Sequence, residues 1–423
     1  MRAQNWDAFH DAKDLMAIFL THAHLDHSGY IPKIVKEGFK GHIYSSQGTL
    51  DLCKILLRDA GRLQEEDAKF ADRTGYSHHK PAIPLYDEID AISSLNLFTA
   101  LKQDEWHSIN DDLNVRLLRS GHIIGSTFIQ LGYKIDSDGY KTITFSGDLG
   151  NGRSPTLKPP LSISETDYLV IESTYGNRIH PKVKPSEEIE KIVNRVAARE
   201  GVLIIPAFSV GRTQDILYLL RKLEDENRIP KLPVYLDSPM ATEATDVYIK
   251  HPEDHNLILN HRTLESPIST KNYKTVTSPD ESMLLCMRDG PMIVVSAAGM
   301  LTGGRVMHHL SKRLSNSKNA ILFVGFQAEG TKGRLLQEGI GELRIHHNVV
   351  PVEAEICTIE SLSAHADQQD TLNWLKHLQK KPEMIFVNHG EVESALALAE
   401  KIKQEFGFNV CVPEKGQTFN LVG

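Results

Sequence analysis

Short apolar runs alternate with longer amphipathic stretches over most of the chain. Residues 15–21 (LMAIFLT) form an apolar run of strand length and predict a buried strand. Ser28 and Gly38 stand where a helix through Lys36 would begin and end. Residues 42–46 predict a second strand. From 49 to 70 the apolar positions fall at helical spacing, with Leu50, Cys53, Leu56 and Leu57 on one face. Residues 74–94 are rich in turn formers and show no period.

Between 114 and 146 short runs are separated by SGHIIGS and DSDGY, and 140–146 alternates. This pattern predicts adjacent antiparallel strands, with Asp138-Gly139 as a hairpin turn. Residues 168–171 (YLVI) predict another buried strand. The polar stretch 174–185 contains two prolines and marks a boundary. Beyond it come a helix from Ser186 to Gly201, a strand at 202–206, a helix at 211–227 and a strand at 233–236. Strands at 291–296 and 320–324 flank a helix at 305–314. Such alternation predicts a parallel sheet with helices on its faces. After 351 the pattern reads βαβα: strands at 352–358 and 384–388, helices at 367–378 and 392–404, and a closing strand at 408–412. No internal repeat or low-complexity tract interrupts it.

The 423 residues suffice for two or three domains. With 40% hydrophobic and 24% charged residues, the composition is that of a folded globular protein and excludes disorder. The net charge of −8 excludes a general basic nucleic-acid binder, so any contact with nucleic acid is local. Cys53, Cys286, Cys357 and Cys411 form no CxxC pair, which points to a reducing, cytoplasmic setting. No signal-peptide core or membrane-length apolar run is present. The unusual count is 20 histidines.

Their placement is the strongest signal. Three His and one Asp fall within the six residues His22, Ala23, His24, Leu25, Asp26 and His27, straight after the first predicted strand. Imidazole and carboxylate suit zinc, iron or manganese. In an extended loop His22 and His24 point the same way, while Asp26 and His27 turn into a helix and can face a second ion. Further candidates stand at the ends of other strands: His122 in RSGHIIGS, Asp148 in TFSGDLG and His389 in IFVNHGE. Taken singly, each is as well explained as a hydrogen-bonded structural residue. Taken together they complete two sites, one of His22, His24, His122 and Asp148, the other of Asp26, His27, His389 and Asp148. Asp148 can bridge because a carboxylate has two oxygens.

These motifs resemble the metallo-β-lactamase fold and, within it, the β-CASP nucleases, which include RNase J-type enzymes and the endonuclease of messenger-RNA 3′-end processing. THAHLDHSG is similar to the histidine motif of that superfamily, and the His122 and Asp148 segments to its next metal motifs. Glu172 in LVIESTYGNR, His365 in SLSAHADQ and His389 in VNHGE resemble the three β-CASP motifs. YLDSPMA and SAAGMLTGGR extend the resemblance through nearly the whole chain. It implies an α/β fold: a metallo-β-lactamase αββα sandwich (1–177 and 351–423) with an inserted parallel α/β β-CASP domain (178–350). The family normally has several strands before the histidine motif, including an Asp-containing turn. This chain has only 21 residues there, so N-terminal strands are expected to be missing.

The resemblance also implies a chemistry. Two Zn²⁺ ions, with Mn²⁺ possible, would attack a phosphodiester with a shared hydroxide. Asp26 would orient it, and His365, held as imidazolium by Glu172, would protonate the leaving 3′-oxygen. A histidine at 389 favours RNA, expected to be single-stranded, over DNA. Candidate RNA contacts are Arg212 and Ser238 at strand-to-helix junctions, and Gly303, Gly304 and Arg305 at a helix start suited to phosphate. Arg305, His308, His309 and Lys312 would share one helix face. Glycine for turns and charge for solubility explain the same residues. A homodimer, if formed, would use the body of the domains. Two other readings remain: a catalytically impaired RNA-binding scaffold, and a small-ester or thioester metallo-hydrolase. The insert and His365 speak against the latter, since a small substrate needs neither.

Overall fold

A computed structural model describes residues 4–6, 11–75, 81–135, 139–257, 266–325, 327–346 and 348–421. Asp138 of the expected hairpin turn lies outside them. The chain divides into two compact units. The first comprises Met1–Gly152, Pro159–Arg178 and His365–Gly423, and the second Arg153–Lys158 and Ile179–Ala364. The first unit is interrupted by the second, the order expected of a sandwich with an inserted α/β domain.

In the first unit, a three-stranded parallel sheet joins Ala17–Phe19, His42–Ser45 and Phe98–Ala100. A seven-stranded sheet runs in the order Val410–Cys411, Met384–Asn388, Tyr168–Glu172, Tyr140–Phe145, Thr127–Lys134, Leu113–Arg119 and Trp106–Asn110. Its half from Trp106 to Phe145 is antiparallel, as the turn-punctuated pattern predicts. The other half is parallel, its strands joined by long crossovers: an irregular stretch from Phe145 to Tyr168, the inserted unit, and the helix Val392–Phe406.

Period-two alternation sorts the side chains of this sheet. Leu118 and Phe128 point to one face, where they join Trp374, Leu398 and Ile402 from the helices. Leu117 and Ile129 point to the other, against Phe19 and Leu101 of the small sheet. Leu117 and Leu118, neighbours in the chain, are thereby buried in separate cores.

The helix expected over 49–70 is Gln47–Thr74. The Ser46 hydroxyl caps it by accepting from the Thr49 amide at 3.1 Å, and Gly75 ends it at φ +70°. Its buried stripe is Leu52, Cys53, Leu56, Leu57 and Ala60, with Leu50 at the margin. The unassigned 74–94 stretch contains the helix Glu88–Leu95, whose start is a reciprocal Asp87–Asp90 cap.

The second unit holds six parallel strands in the order Tyr273–Thr275, Val234–Asp237, Met292–Ser296, Val202–Pro206, Ala320–Val324 and Glu355–Ile359. VLIIP, MIVVS and AILFV are buried throughout, as strands covered on both faces must be. The last strand lies beyond the expected boundary at 351. Glu355–Ile359 pairs with Ala320–Val324, so the return to the first unit falls at His365. An apolar run reveals a strand but not its neighbour.

Phe128→Ala removes a fully buried ring that meets Trp374 edge-on at 5.1 Å. It is expected to cost about 3–5 kcal/mol, read as a lower denaturation midpoint in urea. Ile89→Ala, at a side chain 74% exposed, should leave that midpoint nearly unchanged.

Candidate metal centre and acid dyad

Every candidate ligand stands where a strand of the first unit ends. His22 lies beyond Ala17–Phe19, and His24 is the residue before the short helix Leu25–Ser28. Asp26 and His27 occupy its first turn. The loop carrying His122 is folded by Ser126, whose hydroxyl accepts from the His122 and Ile123 amides at 3.1 Å. Asp148 follows Tyr140–Phe145, and His389 follows Met384–Asn388 in the left-handed region, φ +50°. That conformation is uncommon for a non-glycine residue and concentrates at functional sites.

The loops before His22 and Asp148 touch back to back. Gly147 has φ +50°, and a Cβ there would stand 2.7 Å from Thr21 Cβ and 2.8 Å from its hydroxyl. Only glycine lets the two ligand loops approach this closely.

Two clusters share Asp148. Its Oδ2 lies 3.3 Å from His22 Nε2 and 3.3 Å from His122 Nε2, while His122 Nε2 is 3.1 Å from His24 Nδ1. Its Oδ1 lies 3.2 Å from His27 Nε2 and 3.4 Å from His389 Nδ1. Asp26 Oδ2 is 3.6 Å from His27 Nε2 and 3.4 Å from His389 Nε2. In each cluster the donor atoms converge within 4.8 Å: His22, His24, His122 and Asp148 in one, Asp26, His27 and His389 in the other.

A third group joins Asp148, Glu172 and His365. His365 Nδ1 sits 3.0 Å and 3.2 Å from the two Glu172 oxygens and 4.0 Å from Asp148 Oδ2. Glu172 also accepts from the Leu149 amide at 2.5 Å and the Thr174 hydroxyl at 2.6 Å. Leu149 and Thr174 are positioning residues that the sequence does not single out. The first acts through its backbone, which has no residue-type signature. The second stands two residues after Glu172, within reach of its carboxylate.

Protonation follows burial and neighbours. Burial holds the pKa of His22 and His122 below the usual histidine value, and burial together with His22 takes His24 to about 3. Asp148 loses solvation on burial, yet His22 and His122 outweigh that and hold it well below the carboxylate range. Neutral imidazoles around an ionised carboxylate are the forms that bind a cation. His389 is raised to about 9, chiefly by its hydrogen bond to Asp26, and must lose its proton before holding an ion. Burial pulls His365 down, but Glu172 and then Asp148 oppose it and leave its pKa above the usual value.

The donor set fits a pair of divalent cations. His22 Nε2 and Asp148 Oδ1 are buried with no hydrogen-bond partner, and both are aimed into the clusters. Orphaned buried polar atoms are costly unless a ligand meets them.

The candidate RNA contacts all belong to the second unit, and several are engaged within it. Arg212 is buried and paired with Asp215 at 2.7 Å. Arg305 donates to Asp237 at 2.9 Å and to the Val276 and Thr277 carbonyls. The Ser238 hydroxyl caps Pro239–Lys250 by accepting from Ala241. Gly303 and Gly304 lie just before Val306–Arg313. The expected shared face does not form. His309 is fully buried and bonded to Asp237 at 2.7 Å, whereas His308 and Lys312 are exposed. Asp237, at the end of a fully buried strand, organises this region.

The Beta-Casp domain model matches residues 213–336, and the model described as "Zn-dependent metallo-hydrolase RNA specificity domain" matches 349–413. Ribonuclease TTHA0252 of Thermus thermophilus is 33% identical over 393 residues, which cover 92% of this chain and 84% of the relative. Transcription termination factor FttA of Methanocaldococcus jannaschii is 30% identical over 413 residues, covering 95% of this chain and 62% of the relative. The same factor from Pyrococcus abyssi is 30% identical over 423 residues, covering 96% and 62%. The chain thus spans less than two thirds of these archaeal relatives.

Gly147→Ala is expected to wedge Thr21 from Asp148 and weaken zinc binding about 10–100-fold, the usual scale for disturbing ligand support. Calorimetric titration of the metal-stripped variant checks this. Unchanged affinity would mean that the loops yield without cost.

Proposed function

This chain belongs to the β-CASP family of metallo-β-lactamase-fold RNA nucleases, and from that premise we propose that it is a zinc-dependent ribonuclease cutting single-stranded RNA. The observation that carries the reading is the convergence of both ligand clusters and the Glu172–His365 pair on one buried carboxylate, Asp148. His22, His24, His122 and Asp148 would hold one ion, and Asp26, His27, His389 and Asp148 a second, zinc in each with manganese as the substitute. When bound, such a pair neutralises phosphate charge and acidifies water.

The chain's own residues supply the rest. Asp26 is the most solvent-exposed carboxylate of the centre, at 63%, and accepts a hydrogen bond from the attacking water. His365 carries the proton that the departing 3′-oxygen requires. Glu172 takes its Nδ1, so the proton leaves through Nε2. The Leu149 amide and the Thr174 hydroxyl hold the Glu172 carboxylate in orientation. The products are a 5′-phosphate and a 3′-hydroxyl.

The complete ligand set supports an enzyme over a silent scaffold. A small-ester hydrolase needs no acid dyad, and the family's RNA substrates favour a phosphodiester. A soluble intracellular setting accords with that substrate, and no helix among the described residues is long and apolar enough to cross a membrane.

His365→Ala should retain about two zinc ions per chain by elemental analysis while RNA cleavage falls at least about 100-fold. Undiminished cleavage would remove His365 from proton delivery. Labelled single-stranded RNA should be cut faster than DNA of the same sequence, and equal rates would overturn the RNA assignment.

A further inference from the structure

The second unit contains a cavity of about 380 Å³ lined by Thr302, Gly303, Met307, Lys332, Arg344 and His346. That volume lies within the range of small-ligand sites. Its charge is unusual for a chain of net −8. Elsewhere in this unit many guanidinium groups are paired: Arg195, Arg199, Arg212, Arg228 and Arg305 each meet a carboxylate. Lys332 and Arg344, which line the cavity, make no ion pair among the described residues. Two unneutralised cations facing one recess repel each other, and a bound anion relieves that cost.

The remaining walls suit the rest of a nucleotide. His346 has φ +53°, and its ring stacks on His308 with centroids 5.0 Å apart and planes 29° apart. An imidazole held flat in this way offers a face to a nucleobase. At Gly303 nothing lies within 4 Å of where a Cβ would stand, so the backbone there is open to a ligand.

We propose that this cavity holds one nucleotide of an RNA strand, its phosphate between Lys332 and Arg344 and its base against His346. The proposal rests on the ribonuclease reading and moves the phosphate grip away from Arg305, whose charge is already paired with Asp237. A free mononucleotide presents the same chemistry, so the test separates the two sources.

Binding of labelled single-stranded RNA to the full zinc-loaded chain is measured in a His365→Ala background. Lys332→Ala combined with Arg344→Ala should weaken binding roughly tenfold or more, the worth of charge-assisted hydrogen bonds. The slope of log affinity against log salt should fall by about 0.7 for each phosphate that the variant no longer neutralises. Removing the same charge from exposed lysines elsewhere in the unit, Lys231→Ala with Lys318→Ala, should change affinity less than about twofold. Equal weakening in the two double variants, or none in either, would overturn the site. Adenosine monophosphate binding the cavity as tightly as RNA does would overturn the RNA assignment in favour of a free-nucleotide site. Parallel cleavage assays on the unmutated chain separate the failures. If it cuts RNA while the Lys332 and Arg344 variant binds normally, only the nucleotide site falls. If it neither binds nor cuts RNA, both readings fall.

Discussion

The first unit is organised around one buried carboxylate that histidines approach from two sides. Asp148 is 2% exposed, and its oxygens face His22 and His122 on one side, His27 and His389 on the other. A carboxylate so deeply placed is unfavourable without compensating charge. Burial disfavours the charged forms of His22, His24 and His122, which leaves these imidazoles with lone pairs to offer a cation. The balance closes when cations occupy the clusters, and the same cations are what the chemistry uses. Stability and function therefore draw on one feature.

Placing ligands from three distant segments around Asp148 requires a rigid frame. Strands of both sheets that end beside one another provide it, and the side chains that alternate into the two cores hold the strands in register. Close backbone approach then does the final positioning. Gly147 admits Thr21, and the Gly150–His365 bridge brings the acid dyad beside the metal ligands. Glu172 gains its fixed orientation from a backbone amide and a neighbouring hydroxyl, so the residue nearest the proton donor is the best constrained.

The second unit follows a different electrostatic rule. Most of its arginines stabilise the fold by meeting carboxylates, and buried Asp237 alone engages His309, Arg305 and Ser282. The proposed binding capacity therefore resides where cations that meet no carboxylate among the described residues line one recess, not in every basic residue near a glycine-rich loop. An acidic protein can act on a polyanion in this way, through a local recess rather than through its overall field.

Much of the site was legible in the chain. His22 to His27 are contiguous, and His122, Asp148 and His389 follow apolar strands, so residue type and position together marked them. The strands were legible for the same reason, since burial on both faces leaves an unbroken apolar run. Tertiary structure alone decided the partners. It moved Glu355–Ile359 into the second unit, turned His309 inward, spent Arg212 and Arg305 on aspartates, and left Lys332 and Arg344 without a described carboxylate partner. Sequence states what charge or hydrogen-bonding capacity a side chain has. Whether that capacity is already satisfied depends on groups that meet it only after folding.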